Sequence, residues 1–376
     1  MGNTARRAAV GGLALASAGL VTGLAGTAHA STGGHLGPVF VQTDNPAGNS
    51  VVVYDRAADG TLHEAGSYPT GGLGGVLDGS VVDHLASQGA LAYDRARGLL
   101  YAVNAGSNTV TVFDVSGDRL VRRQVIRSGG TFPVSIAVRG NVVYVLNARD
   151  GGSVQGFLRL GDTLVRVPLW HRSLGLDPTL TAEFTSTPGQ VAFSPDGTKL
   201  IVTTKGNGSE IEVFGVNALG GPSATPVVTA DPAAVPFAVA FDPAGHLDVA
   251  EAGTNAVARF TIGADRRLTL LDRTPTGQVA TCWIVATGEN LYTSNAGSAS
   301  ISGFADEGAS LTPLGNTTTN AGTVDAAATP DGHYLYVQTG AAGIVDEFRI
   351  GNDGALTQIG SVTVPGAVGG EGIAAG

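Results

Sequence analysis

The chain has 376 residues, a formal charge of −10, 57 glycines and only 14% charged residues. Such an acidic balance disfavours nucleic acid and anionic membrane as partners, and a single cysteine, Cys282, excludes an internal disulfide. Glycine at about twice its usual ~7%, with charge well under the usual ~25%, fits many tight turns joining strands that are covered on both faces.

The chain opens with the basic stretch MGNTARR, continues through small apolar residues from Val10 to Leu24, and reaches an A-x-A site at Ala28, His29 and Ala30. Residues 1–30 therefore read as a secretory signal peptide cleaved after Ala30, which makes 31–376 a secreted, extracellular domain. The adjacent Arg6 and Arg7 leave twin-arginine and Sec export both open. Loss of these two arginines brings the mature charge to about −12. No later run approaches the roughly 20 apolar residues of a membrane span.

From Gln88 to Ile126 four alternating apolar runs, Ala90 to Tyr93, Leu99 to Val103, Thr109 to Val115 and Arg119 to Ile126, are separated by the turn sequences DRARG, NAGSN and SGD. This spacing predicts one antiparallel four-stranded sheet. The unit recurs, and its second strand is recognisable seven times: VFVQT (39–43), YAVN (101–104), YVLN (144–147), IVTT (201–204), DVAE (248–251), YTSN (292–295) and YVQT (336–339). Consecutive signatures end 61, 43, 57, 47, 44 and 44 residues apart, the repeat of a propeller blade with insertions before the second and fourth units. A β-sandwich does not explain seven in-phase blocks, and a β-helix rung is far shorter. The predicted fold is all-β, a seven-bladed β-propeller of four-stranded antiparallel blades. Because the first unit lacks an innermost strand, the tail GGEGIAAG is expected to supply it, with Ile373 to Ala375 pairing with Val39 to Thr43 and closing the ring.

In such blades the end of the second strand and the start of the inner strand share one face. The expected rim is therefore Thr43, Asn104, Asn147, Thr204, Glu251, Asn295 and Thr339, with Ala90, Ser135, Gln190, Ala238, Trp283, Asp325 and Gly372 inside it. The insertions Thr70 to Ser87 (with Asp78, Asp83 and His84) and Leu169 to Thr187 (with Trp170, His171, Arg172, Asp177 and Glu183) are expected to reach the same rim as binding loops. Glu251, one carboxylate in a neutral ring with no evident structural partner, is the candidate catalytic residue. Asn104, Asn147, Thr204, Lys205, Asn295, Gln190, Trp283 and Asp325 are candidate ligand contacts, although asparagine at a strand end also satisfies turn backbone and Trp283 also suits a channel plug. Cys282 lies in the apolar run CWIVA and reads as a buried inert thiol. No zinc spacing, GxSxG elbow or calcium loop occurs, so neither a metal nor another cofactor is expected.

The segments FSPDGTKLIV, LLYAVNAGSNTVTVFDV and AFDPAGHLDVAEAG resemble the seven-bladed lactonase family of bacterial 6-phosphogluconolactonases and the fungal carboxymuconate lactonising enzyme, over essentially all of 31–376. The resemblance implies a Glu at a second-strand end, matched by Glu251, working beside Arg and His at inner-strand starts. Those openings here read Pro188, Gly189, Gln190 and Pro236, Phe237, Ala238, so the basic partners are missing and a phosphosugar or carboxymuconate substrate is disfavoured. Only Lys205, Arg149, Arg172 and His171 offer nearby cations. Two readings follow. One is a hydrolase of a neutral lactone with Glu251 as general base and Asn104, Asn147 or Asn295 polarising the carbonyl. The other is a non-catalytic propeller binding a lactone-like or sugar-like small molecule, or a protein, through its rim loops.

Overall fold

Alternating apolar strands cut by Gly- and Asn-bearing turns can bury both faces only against copies of themselves, and the chain does so seven times. The computed structural model describes residues 36–376; the signal peptide read at 1–30 lies outside the described residues. Seven four-stranded antiparallel sheets form the blades. Blade 1 covers 36–69 together with Ile373–Ala375, and blades 2 to 7 cover 91–127, 133–173, 191–230, 236–275, 281–318 and 323–363. The seven signatures fall on the second strands of their blades, from Leu36–Gln42 in blade 1 to Tyr334–Thr339 in blade 7, with Thr43 and Thr204 one residue past their strand ends. Ring closure follows the expected register, with Val39 opposite Ala375, Phe40 opposite Ala374 and Val41 opposite Ile373.

Neighbouring blades are joined by a repeated bond that starts from one position of the second strand. Tyr144, Tyr292 and Tyr336, all buried, donate their hydroxyls to the carbonyl oxygens of Gly220, Gly354 and Gly60 in the outer hairpin of the next blade, at 2.7, 2.8 and 2.7 Å. Gly60 needs to be glycine, since its φ is +92° and a Cβ there would collide with the ring of Tyr334. Blade 5 carries Asp248 at the tyrosine position. Its carboxylate holds Arg259 in a fork (2.8 and 2.9 Å), and the Arg259 Nη1 then donates to Gly308 O at 2.6 Å, the matching glycine of blade 6. Asp306 also receives Arg259, so a desolvated ion network takes the place of a phenol at this junction.

The first insertion, 70–87, contains no strand. The second differs from expectation. Residues 169–173 belong to the outer strand of blade 3, Thr163–Ser173, and only 174–187 form a loop, with a single helical turn at Glu183–Ser186. The strand continues past Pro168 because that residue falls where the register shifts between the Gln155 and Phe157 pairs on an outer strand, where no ladder needs its missing N–H. Trp170 consequently packs on Tyr144, with ring centroids 6.2 Å apart, rather than on the rim.

Candidate functional site

The inner-strand starts converge as the repeat predicts. Ser135 lies opposite Leu146, Ala238 opposite Ala250 and Trp283 opposite Ser294, each pair one step inside the second-strand end. The chain itself fills the space between them. Gln88 donates its backbone N–H to Gly189 O at 3.1 Å, gives its amide Nε2 to Ile284 O and accepts the Ile284 N–H, both at 2.8 Å. A residue just ahead of blade 2 that reaches the inner edges of blades 4 and 6 lies on the axis. Trp283 Nε1 donates to Ser87 O at 2.6 Å, Gln190 Oε1 accepts from Val239 N at 2.6 Å, and Ser135 Oγ accepts from Val191 N at 3.2 Å. The tail of the first insertion is thus a plug, and the inner-strand polar groups are spent on backbone.

The second-strand ends do not form an open ring; they are buried in the hairpins they terminate. Asn104 donates to Thr109 and Thr111 and accepts from Asn49 (3.1, 2.9 and 3.1 Å), and Gly72 covers it so closely that any Cβ there would collide with its amide. Asn295 donates to Ser302 at 2.9 Å and accepts from Thr281 at 2.6 Å. Thr204 accepts from Glu210 N at 2.9 Å. Asn147 is buried under Gly130, and its amide atoms have no hydrogen-bond partner among the described residues.

Glu251 is 1% exposed and has the structural partners that its sequence position does not reveal. It accepts from Thr254 Oγ1 at 2.6 Å and faces Arg273 through Nη2 at 3.0 Å and Nε at 2.9 Å, while Arg273 also reaches Asp231 at 2.5 Å. Burial lifts the Glu251 carboxyl, and Thr254 and Arg273 oppose the lift. The pair borders a crevice of about 210 Å³ between blades 4 and 5, lined by Ile211, Phe260 and Leu270. The four cations expected near Glu251 are elsewhere. Arg149 forks onto Glu183 at 2.8 and 2.7 Å, Lys205 holds the loops, and His171 and Arg172 lie on the outer strand of blade 3. Arg273, on an outer strand twenty-two residues downstream, carries no motif that singles it out in the sequence.

Lys205 ties both insertions to blade 4. Its Nζ donates to Ala86 O at 2.6 Å, Phe184 O at 2.8 Å and Thr187 Oγ1 at 3.1 Å, and sits 5.3 Å from the centroid of Phe237. Burial brings this amine down to about 7, with Asp83 opposing, and raises Asp83 to about 6. Asp83 and His84 do not form a dyad: the Asp83 carboxylate caps Leu85 N at 2.8 Å and Ser87 N at 3.0 Å. Replacing Lys205 with Met removes hydrogen bonds from a charged donor, worth about 2–3 kcal/mol in total. Amide exchange should speed up at 84–88 and 184–187 and stay unchanged in the blades; equal protection in both loops would refute the tether.

Beside the plug lies a cavity of about 290 Å³, walled by Val81, Val82, Phe184, Phe237, Trp283 and Ala296. Phe237 and Trp283 meet with ring centroids 4.9 Å apart. Cys282 borders the cavity as a thiol, since burial pushes it up to about 12. Behind the plug lies a group of buried acids, of which sequence reading names Asp325 and Asp83 but misses Glu371 and Asp44. Glu371 accepts from Gly89 N (2.9 Å), Ala90 N (3.3 Å) and Ser87 Oγ (3.3 Å), and its own N–H goes to Asp44 Oδ2 at 2.7 Å. Asp325 accepts from Ile373 N at 3.3 Å. An acid in the otherwise neutral tail GGEGIAAG is the one signal that could have pointed there.

No model of a known protein family matches the sequence, and no curated protein does. Solved structures do match. A Bacteroides fragilis protein provisionally named a 6-phosphogluconolactonase superposes with a TM-score of 0.72 at 20% identity, over 91% of this chain and 98% of that one. A second protein of that provisional name, from Bacteroides uniformis, gives 0.68 at 19% identity over 89% and 98%. The periplasmic gluconolactonase PpgL of Pseudomonas aeruginosa gives 0.71 at 17% identity over 90% and 98%. At these identities the likeness is one of architecture: the chain has the seven-bladed fold on which these lactonase propellers are built.

Proposed function

We propose that the protein is a secreted, non-catalytic propeller that binds a neutral, mainly apolar small molecule in the cavity between Trp283 and the first insertion. The observation that carries this reading is the plug. The axial position where inner-strand groups would converge on a substrate is filled by Ser87 and Gln88, while the concavity left open is aromatic and aliphatic. Export rests on the leader features of residues 1–30. Trp283 is one of two tryptophans, so a Trp170→Phe chain reports on the cavity alone. Titration with a naphthalene dye and with alkyl-substituted neutral lactones should change Trp283 emission saturably, and Ala296→Phe, which fills the cavity, should abolish the change. A response that survives Ala296→Phe would overturn the assignment.

Hydrolysis of a neutral lactone, with Glu251 as general base and a strand-end asparagine polarising the carbonyl, is the second reading. It is favoured by the fold shared with a gluconolactonase and by the burial-raised Glu251 carboxyl beside the 210 Å³ crevice. The Arg273 contact counts against it, because an arginine-paired carboxylate is a poor base. Turnover of any γ- or δ-lactone that disappears in Glu251→Gln would put this reading first.

A further inference from the structure

The hairpins joining inner to second and third to outer strands emerge on the face opposite the plug. There, in a chain of net charge −10, cations gather around blade 4. Arg139 of blade 3 lies across Gly197, where any Cβ would collide with it, and donates to Pro195 O at 2.6 Å. Arg172 of blade 3 donates to Ser223 O at 2.8 Å and Pro222 O at 2.7 Å. Arg266 of blade 5 crosses over Gly215 and reaches Ser223 Oγ at 2.8 Å. Carbonyl and hydroxyl oxygens satisfy N–H groups without cancelling charge, and among the described residues none of these three arginines has an ion pair. Lys199 adds a fourth cation. Its partner Asp196 lies 3.6 Å away, and bonds from Ser194 and Thr198 hold this acid far below the usual carboxylate range. Lys199 and Arg266 border an open cleft of about 410 Å³ and Arg139 a second of about 450 Å³; the two share Thr198, Val216 and Asn217, and Arg172 stands behind the first through Pro222 and Ser223.

We infer that this joined cleft is a binding site for a compact, multiply charged oxyanion, a polycarboxylate or a phosphate. Arg139 and Arg266 have guanidinium donors left over for bidentate contact, and Lys199 supplies a point charge between them in sequence and along the cleft wall. A singly charged acid would leave most of the local positive charge uncompensated. A neutral guest would gain nothing from it. The site is independent of the apolar cavity, which opens on the other face.

The test is calorimetric titration of the full chain with citrate and, separately, pyrophosphate at low ionic strength. Binding of either probe that weakens at least about tenfold in Arg139→Gln/Arg266→Gln supports the site, and the stronger probe tells carboxylate from phosphate chemistry. Added salt should weaken it further. Arg267→Gln removes the same charge from a side chain outside the clefts that pairs with Asp265 and should leave binding unchanged. Arg266→Gln alone provides the milder variant should the double substitution impair folding, and should give an intermediate loss. Absence of binding by both probes, or an equal loss in Arg267→Gln, overturns the inference.

Discussion

A chain ending at Gly370 should melt at least about 15 °C below the full protein, or fail to fold at 37 °C. Removing 371–376 strips blade 1 of its inner strand and leaves the backbone of Leu36–Gln42 as an open edge. Ile373 leaves the core it shares with Val39, Val41 and Val364, a loss of about 2–3 kcal/mol. The ladder loses Gln42 N to Gly372 O at 2.8 Å and Gly376 N to Pro38 O at 2.7 Å, and Arg95 loses Ala375 O at 2.6 Å, each about 1 kcal/mol. Gly89 and Ala90 N–H, which Glu371 accepts, remain behind without a partner, at a further cost of about 1–3 kcal/mol. The total approaches the whole stability of an ordinary domain, about 5–15 kcal/mol, and at about 2–4 °C per kcal/mol gives the expected shift. Ile373→Ala isolates the packing part and should cost about 2–4 kcal/mol. An unchanged melting temperature in the truncated chain would show that the ring is held elsewhere.

The same closure was legible in the sequence, and the reason is instructive. Blade pairing is written in a period-two pattern that repeats with the chain, so a missing strand at one end and a matching tripeptide at the other could be aligned without coordinates. Where local pattern and long-range contact differ, the reading fails. The second insertion was read from Leu169, yet the outer strand runs on to Ser173, because only the register with Gln155 shows that a bulge at Pro168 needs no N–H. Glu251 looked unpartnered because Arg273 approaches it from an outer strand whose side-chain direction is set by the sheet and not by the motif. The rim asparagines were correctly placed along their strands, yet their exposure depended on Gly72 and Gly130 from preceding loops. Gln88 had no feature to distinguish it from a loop residue, although it crosses the axis. Position within a repeat is local information; accessibility is a property of the assembled ring.

Stability should fall as pH rises from about 4 to 8, the reverse of the usual behaviour of paired surface carboxylates. Burial pushes Asp44 up to about 8, against the Glu371 N–H and the Gln42 amide that oppose it. It pushes Asp325 up to about 7 and Asp83 up to about 6, and Glu371 well above its ordinary value, with repulsion from Asp325, Asp83 and Asp44 adding to the last. Glu212 in blade 4 rises to about 7 by burial beside Glu210. Each of these groups keeps a proton in the folded chain at a pH where the unfolded chain has released it, so the folded state binds more protons and its advantage, complete below about pH 4, is lost as pH climbs through the folded values. Lys205, brought down to about 7, acts in the opposite direction, but only above that pH. Acids held low by hydrogen bonds or ion pairs, Asp196 and Glu183 among them, lose their contribution below about pH 4, which puts the maximum near pH 4–5. A four-unit shift on one fully buried carboxyl corresponds to about 5 kcal/mol, and the interacting group as a whole should lose on the order of that amount between pH 4.5 and 8. Urea midpoints at pH 4.5, 6 and 7.5 measure it. Asp44→Asn should flatten the slope and raise the midpoint at pH 7.5, because the Gln42 Oε1, without a partner among the described residues, can accept from the new amide, as it would from a protonated Asp44, once the Gln42 amide turns over. A midpoint that stays level or rises between pH 4.5 and 7 would mean that these acids are charged in the folded protein and that the tail is held against their repulsion rather than by their protons.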